Sequence, residues 1–186
     1  MHIGHVLLVV ALLFIGAVYA LDKYGVISSD LTSDIVVGAW ILALVAAGIW
    51  VVWHAFVVGL KRNPYLDSYD TLPFRLAKRM IRNCTLPLIV FVGLAYFTTV
   101  TPAAIAAVAF LVPMLVHEIS MADVVASLQH GEEKVLDAQE YVSNLLLLAS
   151  TILLFWQYGW IVGGSFILAL IAYIVTAHHG VWGVYT

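Results

Sequence analysis

Cysteine is nearly absent from this sequence: Cys84 is the single one in 186 residues. One thiol excludes an intramolecular disulfide, a CxxC redox pair and a cysteine-ligated cluster within the chain. At the start of an apolar stretch it reads as a small apolar side chain. Charge is also scarce. Asp, Glu, Lys and Arg make up 10% of the residues, against roughly a quarter in soluble domains. The net charge of −3 means little, because the two signs fall in different segments, and no broad basic surface for nucleic acid is expected. The chain also lacks a phosphate-binding glycine loop, a low-complexity tract and an evident internal repeat. What remains is apolar, with 63% hydrophobic residues and a mean hydropathy of +1.03. A soluble core cannot hold that much apolar surface. The expected fold is all-α, a polytopic transmembrane helix bundle, and at about 20 residues per span the length allows five or six spans in one domain.

The segment Lys61 to Asn83 organises the rest. It is a polar interval holding Lys61, Arg62, Arg75, Lys78, Arg79 and Arg82, six of the chain's eight basic residues. Such a segment stays on the cytoplasmic side of a membrane. Apolar runs then place spans near residues 3–21, 35–60, 84–100, 103–120, 141–157 and 160–178, paired as three helix hairpins with both termini cytoplasmic. The first run ends in Ala17-Val18-Tyr19-Ala20, which imitates a signal-peptide cleavage site, yet no Lys or Arg precedes it. It is read as a retained span. Asp22, Asp30 and Asp34 make the first loop acidic and external.

Local signals refine this outline. The second span would be about 39 Å long if helical throughout, so it should tilt or protrude inwards. Along it Trp50, Trp53, His54 and Val57 share one face by their spacing. Arg75 to Arg82 reads as a short amphipathic surface helix. Thr98 to Pro102 makes a reversal, with Pro102 in the first turn of the next helix. Pro113 frees the carbonyl of Ala109 and predicts a kink one turn before His117-Glu118. Met121 to Asn144 is polar with regular apolar positions and reads as a helix lying on the inner surface. Trp156, Tyr158 and Trp160 mark an interfacial aromatic belt around the joint at Gly159.

With this orientation all seven histidines fall on the cytoplasmic half. Histidine in or beside a span is costly and tends to face the protein interior or a cavity, so the asymmetry points to function. Imidazole binds first-row metals, and a facing pair holds haem axially. His54 and His117 are the deepest and are expected to face one another near the Pro113 kink; His5 and His178 are next. Glu118 and His179 would complete a mixed nitrogen and oxygen metal site. His2 and His130 read as solvated. The HxxxH and HxxHH boxes of membrane di-iron desaturases are absent, and Gly163-Gly164-Ser165 lacks the glycine that would follow a rhomboid-type nucleophile.

Two functions follow as expectations. One is a redox subunit binding haem b, iron or copper within a larger electron-transfer or oxygenase complex of a prokaryotic plasma membrane, its partners being the bilayer and other membrane subunits or further copies of itself. The other is a small channel or transporter, or a cofactor-free structural subunit, in which Glu118 beside His117 is a titrating pair.

Overall fold

The computed structural model describes residues 3–53, 72–129 and 138–182, with the side chains of 3–9, 11–12, 72–76, 121–129, 138 and 178–182 left aside. Among the described residues there is no strand. The helices are α1 (Ile3–Lys23), α2 (Ser29–Val52), α3 (Leu72–Phe97), α4 (Val100–Gln129) and α5 (Ala138–Trp182). Four stretches, Ser29–Val52, Ala77–Phe97, Val100–Ser120 and Gln139–Ala177, are long and apolar enough to cross a membrane. That is the mark of an integral membrane protein.

Helix ends follow from local chemistry. At the end of α1 the N–H of Val26 donates to the carbonyl of Leu21 and that of Gly25 to Asp22, both at 2.9 Å. This is the paired closure in which the residue after the helix turns left-handed, and Gly25 supplies it at φ 69°. Ser28 then caps α2, its hydroxyl accepting from the N–H of Leu31 at 3.2 Å. The second helix therefore begins at Ser29, six residues before the expected start of the apolar run, because the cap and not the hydropathy decides where helical hydrogen bonding begins.

Two segments expected as separate surface helices are continuations of longer ones. Arg75 to Arg82 forms early turns of α3, and Met121 to Gln129 the end of α4. No breaker stands between polar and apolar parts in either case, so the helix runs on through the change in composition. Of the rest of the second segment, residues 138–144 open α5 and residues 130–137 lie outside the described residues.

α5 is two limbs. Gly159 interrupts it at φ 80°, ψ −174°, a backbone conformation suited to glycine. Reversal there is required by contacts with α4. Ser143 bonds the carbonyl of Pro113, while Tyr173 bonds Glu118. The two α5 positions would lie about 45 Å apart on one straight helix, whereas their partners on α4 are about 7 Å apart along its axis. Only a hairpin satisfies both. The limbs close tightly, with the Phe155 ring occupying the space that a Cβ on Gly163 would need.

The core lies between α3, α4 and the two limbs of α5. Phe91, Phe110 and Phe166, one from each helix, meet tilted or edge-on at centroid distances of 5.5, 6.1 and 6.4 Å. Ala103, Ala106 and Ala109 are buried along α4 and let neighbouring backbones approach. α2 is tied on by Trp40, whose indole N–H donates to the Ser150 hydroxyl at 3.0 Å. Large apolar side chains also cover the outer surface, Leu42, Ile49, Val92 and Trp160 all being exposed. Asn83, Glu118, Ser120, Ser143 and Ser150 are buried. Polar groups inside and apolar groups outside is the arrangement a lipid solvent selects.

Candidate functional site: a buried carboxylate cluster

Glu118 sits on α4 about one turn beyond Pro113 and is only 4% exposed. Both of its carboxylate oxygens are engaged. Asn83 Nδ2 on α3 donates to Oε1 at 2.8 Å, and the Tyr173 hydroxyl on the second limb of α5 donates to the same oxygen at 2.7 Å. Arg79 Nε, one turn before Asn83, stands 3.6 Å from Oε2. Three helices thus converge on one carboxylate. The distances to Asn83 and Tyr173 are those of charge-assisted hydrogen bonds, and Arg79 answers the charge.

The sequence builds this arrangement turn by turn. Arg79 and Asn83 are four apart and so share a face of α3. Pro87, four residues further on, has no N–H to offer the carbonyl of Asn83. The Thr176 hydroxyl of α5 stands 3.1 Å from that freed oxygen, its one proton shared with the carbonyls of Ala172 and Tyr173. Proline therefore opens a backbone acceptor that locks α3 to α5 directly beside the carboxylate. Tyr173 is held from the other side by edge-on contacts with Phe110, at 6.1 Å, and with the His117 ring, at 6.3 Å. Those contacts aim the phenol at Glu118. Arg82 extends the network outwards, its Nε donating to Asn83 Oδ1 at 3.0 Å. Ser120, two residues beyond Glu118, is buried, and among the described residues its hydroxyl has no hydrogen-bond partner.

Of the residues singled out from the sequence, Glu118 is at the centre of the cluster and His117 at its edge, half-buried against Tyr173. His54 lies outside the described residues, as do the side chains of His5, His178 and His179, so the expected meeting of His54 with His117 falls outside them too. Trp50 and Trp53 part company: Trp50 packs against the core and Trp53 is exposed. Among the described residues no group of three or more His, Cys, Asp or Glu side chains is arranged to hold a metal ion. Sequence reasoning missed Arg79, Asn83, Tyr173 and Thr176 as site residues. Their signal was present as pairs of polar positions at helical spacing, Arg79 with Asn83 and Tyr173 with Thr176, each pair on one face of an apolar span.

Chemically, the cluster gives a carboxylate in a dry interior two hydrogen-bond donors and a guanidinium from neighbouring helices. Protonating Glu118 removes the charge that Arg79 answers and weakens the acceptor that Asn83 and Tyr173 share. The three helix ends would then be held less firmly. Compared with known protein families, with curated proteins and with solved structures, the chain matches none.

Proposed function

We propose that the protein is a small proton-linked membrane transport component in which Glu118 is the working carboxylate. Six spans with both termini cytoplasmic, in a prokaryotic plasma membrane, complete this assignment, with other membrane subunits or further copies of the chain as its partners. The observation that carries it is a buried glutamate bound by side chains from two neighbouring helices at the basic end of an apolar bundle. An ionisable group inside a span is expensive and is kept where it moves ions or protons or pairs helices. Here its partners come from separate helices, so loss of one charge loosens an inter-helix contact and not merely a side-chain rotamer. The cluster would close the inner end while Glu118 is ionised and release it on proton uptake.

The test is proton flux in liposomes carrying the full chain under an imposed pH gradient. Wild-type protein is expected to give a flux that Glu118→Gln abolishes. A Glu118→Gln protein that carries the same flux would sink the proposal, and a folded wild type with no flux would leave a structural subunit in its place.

A redox role is favoured by one observation, the His117 ring set edge-on against Tyr173 beside the Glu118 carboxylate. In that reading His117 and His54, with His5, His178, His179 and Glu118 nearby in depth, would hold haem or iron or copper. Metal analysis and a visible spectrum of the purified protein decide it: a Soret band or stoichiometric metal would move the assignment to the redox class, and neither would remove it.

A further inference from the structure

Lys78, Arg79 and Arg82 lie within five residues at the basic end of α3, yet they face different ways. Arg79 turns inwards to Glu118. Lys78 and Arg82 are exposed, and among the described residues neither makes an ion pair. They are four apart, so they stand on one helix face about 6 Å apart along the axis. The Arg82 Nε is pinned by Asn83 Oδ1 at 3.0 Å. That bond engages one of the five N–H donors of an exposed guanidinium and leaves the four terminal ones for other acceptors, a fork suited to phosphate oxygens.

The same face continues as an apolar stripe. Ile89, Val92 and Tyr96 follow Lys78 within about 40° of the same direction at 100° per residue, and they are 60%, 73% and 86% exposed. From Lys78 to Tyr96 is 18 residues, about 27 Å of helix, close to the ~30 Å hydrocarbon thickness of a bilayer. A cationic pair at one end, bare aliphatic side chains along the length and a phenol at the other is the outline of one lipid leaflet and its opposing interface.

We propose that Lys78 and Arg82 bind the phosphate of an anionic lipid whose acyl chains lie along Ile89 and Val92. The occupant is committed to lipid because the charged pair is continuous with exposed apolar surface, which a free phosphate would leave uncovered. This inference rests on α3 crossing the bilayer and not on proton flux through the cluster.

The experiment is native mass spectrometry of the full chain released from nanodiscs of mixed phosphatidylglycerol and phosphatidylcholine. Wild type is expected to retain phosphatidylglycerol in preference. Each basic side chain near an anionic lipid is worth about fivefold in affinity, so the Lys78→Gln/Arg82→Gln pair should lower relative retention roughly 25-fold. Lys23→Gln, which removes one positive charge at the end of α1, should retain the lipid as wild type does. The proposal is overturned if the double variant keeps its phosphatidylglycerol, or if Lys23→Gln loses it equally. Loss of flux in Glu118→Gln with lipid retention unchanged in the double variant would sink this inference alone.

Discussion

Replacing Tyr173 by Phe removes one hydroxyl and nothing else from the centre of the cluster. The ring would keep its edge-on contacts with Phe110 and His117, so no cavity opens and the change isolates one hydrogen bond of 2.7 Å to Glu118. Two magnitudes compete for what that bond is worth. Hydrogen bonds between transmembrane helices average about 0.6 kcal/mol, because the unfolded chain in a membrane also finds partners. Bonds to a charged group are worth roughly 1.5–3 kcal/mol. Glu118 is 4% exposed, so water cannot replace the lost donor, and the higher range applies: Tyr173→Phe should lose about 2 kcal/mol. The assay is unfolding of the full chain by titration of a denaturing detergent into mixed micelles, followed by circular dichroism. A double-mutant cycle with Glu118→Gln gives the sharper reading, since the acceptor is then neutral and the cost of Tyr173→Phe should fall towards about 0.6 kcal/mol. A loss of about 0.6 kcal/mol or less in the wild-type background, or equal losses in both backgrounds, would refute the claim that Tyr173 holds a carboxylate.

Gly163→Ala places a Cβ into the Phe155 ring across the α5 hairpin; it should cost about 1–3 kcal/mol as overpacking, measured by the same titration, and Phe155→Leu should recover part of it. In a Cys84→Ser background, single cysteines at Ser28 and Ser68 should label from opposite sides, Ser28 from outside and Ser68 only from within; the reverse pattern would invert the topology.

Hydropathy made the helical class and the apolar spans legible, because a bilayer imposes the same length and polarity limits on every crossing segment. It was a poorer guide to where helices start and stop. Ser28 begins α2 before the apolar run, and α3 and α4 cross the polarity boundary without breaking, since hydrogen bonding is indifferent to whether the outward side chains meet lipid or water. The joint at Gly159 was visible, but the close approach of its limbs at Gly163 needed coordinates.

The site was half legible. Glu118 stood out as a carboxylate at the end of an apolar span. Its partners did not, because Arg79 read as one more cytoplasmic charge and Tyr173 as one more aromatic. Pro87 was the overlooked clue. An interior proline four residues after an asparagine announces a free carbonyl, and a free carbonyl in a membrane must be met by another helix; Thr176 meets it. Histidines drew attention by their shared side of the membrane, whereas the cluster is a property of three helices packed together.

Proton-linked transport requires Glu118 to take up and release a proton inside the bundle. Infrared difference spectroscopy of the reconstituted full chain during a pH jump measures this directly through the C=O stretch of a protonated carboxyl group. A band that grows in wild type as the pH falls, is absent in Glu118→Gln and shifts in Tyr173→Phe is the expected result. Identical difference spectra for wild type and Glu118→Gln would contradict it.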